Sequence, residues 1–217
     1  MYEISKLLGV EKIAKYARMF GLGEETGIPL PLESSGLVPD KKWKWKKYRE
    51  GWFEGETLNT SIGQGYMSAT TLQLATMAAR LATGGRKVEP RLVLENNEPK
   101  PKFDYIKGLS GRNVQIVQSG MAQVVNSYFG TAYKSRIDNP SHKFAGKTGT
   151  SQVWEARNIK NRKSGFEENH SIFVGYAPLA NPKFSVSVVV EFGGSGSAAA
   201  APIARDILKF VQEKYNV

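Results

Sequence analysis

Cysteine is absent from the 217 residues, and so is any long apolar run. The absence of cysteine excludes disulfide bonds, zinc–thiolate sites and a cysteine nucleophile, and it is compatible with either the cytoplasm or a bacterial periplasm. No apolar run reaches the roughly 18 residues that a membrane helix needs, so we expect no bilayer-spanning segment. Because Met1-Tyr2-Glu3 leads directly into an amphipathic pattern, we also expect no signal peptide.

Acidic residues are outnumbered by basic ones, 20 to 30, and the formal net charge is +10. This excess makes an anionic partner worth considering, whether a nucleic acid, a membrane surface or an anionic polymer. Six cations and three aromatic residues lie between Lys41 and Arg49, and a second basic stretch extends from Arg157 to Lys163. We predict that both stretches are loops.

The aromatic and basic run 41–49 has two interpretations. Basic residues that alternate with aromatic rings can neutralise phosphates and stack single-stranded bases. Alternatively, the rings cover edges of the core while the lysine head groups stay in water. Because no RNA- or DNA-binding signature accompanies the run, we favour the second interpretation and expect no nucleic-acid partner.

The hydrophobic periodicity predicts helices along most of the chain and strands near its end. Helices are expected over residues 2–20, 70–82, 112–127 and 198–212. Strands are expected over residues 88–94, 146–154, 170–176 and 184–192. Residues 24–62, rich in proline, glycine and basic side chains, are predicted to be loop-like. The last three strands form an antiparallel meander, and the helix that follows packs back on it, which indicates the α+β fold class.

Three local patterns refine this assignment. The first helix is expected to bury one apolar face, formed by Ile4, Leu7, Leu8, Ala14 and Ala17. Thr70 and Gln73 fit a capping box at the start of the second helix. The last strand is expected to place four apolar side chains on one face: Phe184, Val186, Val188 and Val190.

Few residues suggest metal or cofactor chemistry. His142 and His170 are the only histidines, and neither has a partner at metal-ligand spacing, so we expect hydrogen-bonded or solvated histidines, no metal and no cofactor. The segment from Gly193 to Ser197 could form an anion-binding nest before the last helix, but we favour a flexible strand-to-helix turn.

Lys147-Thr148-Gly149-Thr150, at the start of the predicted meander, is the candidate functional motif. On a strand, Lys147 and Gly149 share one side, whereas Thr148 and Thr150 share the other. A cation and hydroxyls along an edge strand can hold a substrate carboxylate while the backbone pairs with an extended peptide. Glycine allows close approach of another chain. The alternative is an ordinary strand with a threonine-rich edge.

The surroundings of this motif resemble a known family. Residues 144–153, Phe-Ala-Gly-Lys-Thr-Gly-Thr-Ser-Gln-Val, are similar to the third motif of penicillin-binding proteins and serine β-lactamases. Upstream, Ile62-Gly63-Gln64-Gly65 and the stretch from Thr70 to Ala75 resemble the G-Q-G-x-x-x-x-T-P-x-Q-x-A segment of peptidoglycan transpeptidases. Thr71 stands where that family often has proline.

Three further landmarks extend the resemblance over nearly the whole chain. Gly130-Thr131-Ala132 and Tyr176-Ala177-Pro178 match the family in position. Phe20-Gly21-Leu22-Gly23 with Thr26-Gly27-Ile28 is similar to the F-G-x-G-x-x-T-G-I segment that follows the family's second motif. The chain is therefore identified as resembling the class B penicillin-binding proteins, in particular those of cell elongation, with their partial β-lactamase-like fold.

The chain also departs from the family. The resemblance requires a Ser-x-x-Lys nucleophile motif and a Ser-x-Asn or Ser-x-Asp motif, and neither occurs in the 217 residues. The one [Ser/Thr]-x-x-Lys pattern, Thr131-Ala132-Tyr133-Lys134, is interpreted as coincidence. We therefore expect residues 1–217 to be the C-terminal part of one transpeptidase domain, inactive alone and prone to self-association because apolar faces stay uncovered.

The resemblance implies a mechanism and partners. In the family, a lysine-activated serine attacks the D-Ala-D-Ala bond of a stem peptide, and a second stem's amine resolves the acyl-enzyme; β-lactams acylate the same serine. By position, Lys147 would supply positive potential near the nucleophile, and Thr148 and Thr150 would bind the substrate carboxylate. The Thr150 N–H would be an oxyanion-hole donor, and Gly149 would keep the strand face open.

The implied partners are peptidoglycan stem peptides, β-lactams, a glycan-strand polymerase and membrane proteins of cell elongation. The implied location is the outer face of the bacterial cytoplasmic membrane, reached by an anchor outside this chain. Two other functions stay open: a basic nucleic-acid-binding module, and a non-catalytic scaffold or sensor of the same fold. Salt-dependent DNA binding would support the first, and the presence or absence of Ser-x-x-Lys in the complete protein decides the second.

Overall fold

The computed structural model describes residues 1–93, 104–152 and 169–217. The helices are α1 (Tyr2–Met19), α2 (Lys41–Tyr48), α3 (Glu54–Ser61), α4 (Thr71–Ala82), α5 (Gly111–Asn126) and α6 (Ala200–Lys214). The strands are β1 (Ala145–Ser151), β2 (His170–Ala177) and β3 (Phe184–Val190). Helices together with an antiparallel three-stranded sheet confirm the α+β class.

The described residues fall into two compact units. The first contains residues 1–73 and 89–93, and the second contains residues 74–88, 104–152 and 169–217. None of the described helices is both long enough and apolar enough to cross a membrane.

In the first unit, α1 is confirmed as a helix, but its predicted apolar face is wrong in the N-terminal half, where Ile4, Leu7 and Leu8 are exposed; Ala14 is buried as predicted. The backbone of Gly9 has φ +73°, which lies outside the helical region and kinks the element. Because the kink rotates one half of α1 relative to the other, a single 3.6-residue period does not describe which side chains are buried.

The predicted loop over residues 24–62 is also wrong, because the structure contains α2 and α3 there. The N-terminus of α2 is capped by Asp40, whose carboxylate accepts a hydrogen bond from the Trp43 N–H at 2.7 Å. Burial would raise the pKa of Asp40, but that N–H, the Arg18 guanidinium and Lys42 hold it below its ordinary value. An aspartate before a helix is a sequence signal for an N-cap, and Asp40 was that signal here. It was missed because the following residues are mostly lysines and show no apolar periodicity.

The interpretation of run 41–49 as rings on the core with all lysines in water is wrong in two respects, because Trp45 is exposed and Lys44 is buried. The side chain of Lys44 is 2% exposed, and its Nζ bonds to the carboxylate of Glu56 in α3. Lys44 Nζ also lies 3.8 Å from Oε2 of Glu50 and 4.3 Å from the centroid of the Phe53 ring. Glu56 in turn accepts a hydrogen bond from the Phe53 N–H at 2.8 Å. This buried ion pair joins α2 to the start of α3.

Replacing Lys44 by alanine is expected to lower the free energy of unfolding by about 3 kcal/mol, because Glu56 loses its buried partner. Urea denaturation followed by tryptophan fluorescence measures the change, since Trp43 precedes Lys44 in the same helix. Lys42→Ala removes an exposed lysine of the same helix and should change stability by no more than about 0.5 kcal/mol. Equal stability of the two variants would contradict the structural role of Lys44.

The first residues of α4 confirm the predicted capping box. The Thr70 N–H donates to Gln73 Oε1 at 3.0 Å, and the Gln73 N–H donates to Thr70 Oγ1 at 3.1 Å. The Gln73 side chain is fully buried, and its amide donates to the carbonyls of Glu24 and Ser35 at 2.7 and 2.8 Å. One glutamine therefore both starts α4 and fastens two distant loop segments of the first unit.

In the second unit, the sheet has the order β1-β2-β3 and both strand pairs are antiparallel. One face packs against α6, where Phe173 and Val186 meet Ala204 and Leu208. The predicted apolar face of β3 is confirmed, because all four of its predicted side chains belong to this cluster. On the opposite face, a smaller cluster joins Ala145 and Tyr176 of the sheet to Met121 of α5 and Ala82 of α4.

One predicted strand is wrong within the described residues. Residues 88–93 form no strand, and instead Arg86 and Tyr105 form an isolated antiparallel bridge. Pro90 interrupts the segment, since proline cannot donate a backbone hydrogen bond to a ladder. Residue 94 of this predicted strand, the end of the predicted strand 146–154 and the basic stretch from Arg157 to Lys163 lie outside the described residues.

Candidate active-site strand

The candidate motif lies on β1, at the edge of the described sheet. In the register, Lys147 pairs with Val174, Thr148 with Phe173, and Gly149 with Ile172. Side chains of directly paired residues share a face, so Lys147 and Gly149 belong to one face and Thr148 and Thr150 to the other, as predicted. In the described part of the chain, β2 is the one strand beside β1, and the other edge of β1 has no strand neighbour.

Lys147 is exposed, and its Nζ donates a hydrogen bond to the Thr148 carbonyl at 2.7 Å. Among the residues that the structure describes, no carboxylate lies within ion-pair distance of this ammonium group. An ammonium group without a carboxylate partner, held at a strand edge, presents positive potential to an incoming anion.

The hydroxyl of Thr148 lies 2.8 Å from that of Thr131, which precedes a short 3-10 helix over Tyr133–Ser135. Gly130 makes this approach possible. A Cβ at position 130 would lie 2.2 Å from the Val124 carbonyl oxygen at the end of α5, so no side chain fits there. The sequence interpretation of Thr131 as a coincidental match missed this contact. The only sequence signal for this contact was the match of Gly130-Thr131-Ala132 to the family in position, to which no function was assigned.

Behind the strand, the turn 193–197 packs directly on the β1 backbone. A Cβ on Gly196 would come within 2.4 Å of the Gly149 carbonyl oxygen and 2.8 Å of the Gly149 nitrogen. The fully buried Ser171 of β2 holds this turn, since its Oγ donates to the Ser195 carbonyl at 2.7 Å and accepts from the Ala200 N–H at 2.9 Å. The turn therefore supports the backbone that carries the motif.

The same contacts decide between the two interpretations of this turn. The Gly194 N–H donates to the Asn169 carbonyl at 2.8 Å, and Ser195 and Ser197 bond to each other through their hydroxyls at 3.1 Å. The Gly194 N–H and the two serine hydroxyls, which a nest would offer to an anion, therefore already bond to other groups of the protein. The segment is a strand-to-helix turn as favoured, but a packed one.

Both histidines are hydrogen-bonded, as expected. His170 Nδ1 accepts from the Phe192 N–H at 3.1 Å, and its ring lies 5.0 Å from that of Phe192. Nδ1 of His142 lies 3.3 Å from Nδ2 of Asn139. The described residues contain no group of three or more histidine, aspartate and glutamate side chains suited to a metal ion.

Comparison with known proteins gives a consistent result. The family model described as penicillin-binding protein transpeptidase domain matches residues 1–209. The chain is 34% identical over 234 aligned residues to peptidoglycan D,D-transpeptidase MrdA of Haemophilus influenzae, covering all of this chain and 36% of that protein. It is 29% identical to MrdA of Escherichia coli, covering 97% of this chain and 35% of that protein. The chain thus spans about a third of the length of these curated relatives.

The solved structures that the chain resembles are also penicillin-binding proteins. The chain resembles penicillin-binding protein 2 of Pseudomonas aeruginosa with a TM-score of 0.81 and 36% identity, covering 95% of this chain and 45% of that one. It resembles the Helicobacter pylori protein, solved in complex with MreC, with a TM-score of 0.84 and 30% identity, covering 100% and 38%. Family model, sequence relatives and fold converge, and the chain belongs to the penicillin-binding protein transpeptidase domain family.

Proposed function

We propose that residues 1–217 form part of one peptidoglycan D,D-transpeptidase domain and supply its substrate-binding strand. The observation that carries the proposal is a sheet-edge strand with an exposed Lys147 ammonium on one face and the paired Thr148 and Thr131 hydroxyls on the other. The complete protein, meaning the one that joins this chain to a Ser-x-x-Lys motif, would then have serine-type activity. The similarity to named D,D-transpeptidases supports this proposal.

The substrate is a stem peptide that ends in a carboxylate. Such a peptide can lie along the edge of β1 in the manner of an added strand, because main-chain groups at an edge can pair with an extended chain. Its carboxylate would accept hydrogen bonds from the hydroxyls of Thr148 and Thr150, while Lys147, on the other face of the strand, would supply positive potential nearby. Gly149 has no side chain to obstruct the peptide.

The chemistry is acyl transfer in two steps. The serine Oγ, deprotonated by the lysine of its motif, attacks the carbonyl carbon between the two D-Ala residues. The N–H of Thr150 would stabilise the oxyanion, the C–N bond breaks, and the terminal D-Ala leaves with the proton on its amine. The amine of a second stem then attacks the ester, forms the new amide and releases the serine. β-Lactams would acylate the same serine.

A cross-linking assay tests the proposal. The complete protein is incubated with glycan chains that carry pentapeptide stems, and chromatography measures free D-Ala and cross-linked dimers. Both products are expected, and both should disappear after preincubation with penicillin. A folded protein that contains Ser-x-x-Lys but releases no D-Ala would support the scaffold alternative instead.

Thr131 is expected to orient the Thr148 hydroxyl. If the Thr131 hydroxyl donates to Thr148 Oγ1, the one proton of Thr148 remains directed at the substrate carboxylate. In the complete protein, Thr131→Val should slow acylation by a carboxylate-bearing penicillin about threefold to tenfold, the worth of one neutral hydrogen bond. Thr131→Ser should retain the wild-type rate.

A double-mutant cycle separates this role from a general structural one. In a Thr148→Val background, Thr131→Val should have no further effect, because the hydroxyl that it orients is gone. Additive losses in the double variant would contradict the orienting role of Thr131.

The proposed partners are stem peptides, β-lactams, a glycan-strand polymerase and membrane proteins of cell elongation, at the outer face of the cytoplasmic membrane. Two solved relatives support this choice, one a complex with MreC and the other titled a peptidoglycan synthase complex that coordinates polymerization and crosslinking. The proposed substrate carries carboxylates, so a nucleic-acid partner is not needed to explain the net charge of +10. Co-purification of the complete protein with its polymerase tests the assignment.

A further inference from the structure

An exposed part of α2 takes no part in the candidate active-site strand. We call it the α2 basic face, and it consists of Lys42, Trp45, Lys46 and Arg49, all of which are exposed. Successive residues of a helix are about 100° apart, so these four side chains lie on the side opposite to the buried Lys44. Arg49 extends the face just beyond the helix, at its left-handed C-cap.

The cations of the α2 basic face form no ion pair with the acids around the helix, within the described residues. Three acidic residues flank the helix: Glu11, Asp40 and Glu50. Asp40 is paired with Arg18 at 2.6 Å, Glu11 accepts from the Lys41 N–H at 3.2 Å, and Glu50 lies 3.8 Å from Lys44. In the described ranges, no carboxylate lies within 4 Å of the charged atoms of Lys42, Lys46 or Arg49.

Trp45 is 57% exposed and does not serve the core. The other rings of this region form a separate cluster, in which Trp43 lies 5.0 Å from Tyr66 and 5.7 Å from Tyr48, measured between ring centroids. The buried pair of Lys44 and Glu56 holds the inner side of α2. The outer indole is therefore a flat apolar surface, surrounded by cations and presented by an anchored helix.

We propose that the α2 basic face binds anionic glycan strands of peptidoglycan. The inference rests on the proposed function, which makes that polymer the substrate. The electron-rich face of an indole attracts the partly positive C–H groups of a sugar ring. Lysine and arginine around it would pair with the carboxylates of the stem peptides.

Two other anionic partners fit the face less well. Binding of single-stranded nucleic acid depends on several aromatic rings that stack successive bases, and this face offers one. Binding to a bilayer surface depends on a continuous apolar face, whereas three of these four side chains are cationic. A single ring within a group of cations matches a polymer that alternates sugar rings and carboxylates.

Cosedimentation with purified, protein-free peptidoglycan sacculi tests the proposal on the full 217-residue chain. We expect Trp45→Ala, and separately Lys42→Gln/Lys46→Gln/Arg49→Gln, to weaken binding about tenfold, because each removes a full class of contact. The matched control is Lys12→Gln/Lys15→Gln/Lys183→Gln, which removes the same charge from other exposed positions and should bind as wild type does. Circular dichroism establishes that each variant keeps its helices.

Three further arms identify the ligand. Sacculi whose stem peptides have been removed should bind about tenfold more weakly, because they lack the carboxylates. Oligothymidylate and phosphatidylglycerol vesicles should bind more weakly than intact sacculi. Equal binding by all variants, or tighter binding to either of these two probes, would overturn the proposal. Because the readout needs no serine nucleophile, its failure leaves the transpeptidase proposal intact, and that proposal fails separately if Lys147→Ala does not slow acylation.

Discussion

Replacing Lys147 by alanine in the complete protein is expected to slow acylation by a β-lactam at least about 100-fold, the effect of removing one preorganised electrostatic group from an active site. The ammonium is exposed on an edge strand and has no carboxylate partner among the described residues, so it contributes little to stability. Its loss should therefore act on the reaction and leave the fold unchanged. Stopped-flow or gel-based measurement of the second-order acylation rate gives the effect.

The control for this variant is Lys183→Ala, which removes another exposed lysine, in the turn between β2 and β3. The control should be acylated at the wild-type rate, and thermal unfolding should give the same midpoint for all three proteins. Lys147→Arg tests whether charge alone suffices, and we expect a partial recovery because guanidinium differs from ammonium in shape and hydrogen bonding. Unchanged acylation of Lys147→Ala would remove the motif from the proposed site.

The second large effect is the absence of reaction in the isolated chain. Incubated with fluorescent penicillin, the 217-residue chain should show no labelling above background, whereas the complete protein should show a stoichiometric band on a denaturing gel. An acyl-enzyme requires a nucleophile with an adjacent base, and no Ser-x-x-Lys motif occurs in this sequence. Lys147 and the Thr150 N–H help only where an attacking oxygen is present.

The structure strengthens this expectation for the one pattern that resembles the motif. The hydroxyl of Thr131 bonds to Thr148, and no hydrogen bond joins it to Lys134, three residues later. Thr131 is thus engaged with the substrate-binding strand and has no base to activate it. A saturable band on the isolated chain would show that it carries its own nucleophile, and the proposal that it is part of a larger domain would then be wrong.

The errors of sequence reasoning have physical causes. Periodicity placed α4, α5, α6 and all three strands of the sheet correctly, because each has a continuous apolar face against the core. It failed where the interior is polar. Lys44 is buried because Glu56 and Phe53 surround it, and hydropathy alone scores a lysine as exposed. In α1 the cause is different: the backbone at Gly9 leaves the helical region and interrupts the 3.6-residue period.

Sequence alone determined the family, the α+β class and the strand with Lys147, Thr148, Gly149 and Thr150, because short motifs and a two-residue alternation are local properties of the chain. Only the tertiary structure decided which distant groups meet that strand. Thr131 reaches Thr148 across 17 residues, and Gly196 reaches Gly149 across a turn that Ser171 holds. Such contacts depend on how helices and loops pack around a strand edge, and no spacing in the sequence encodes them.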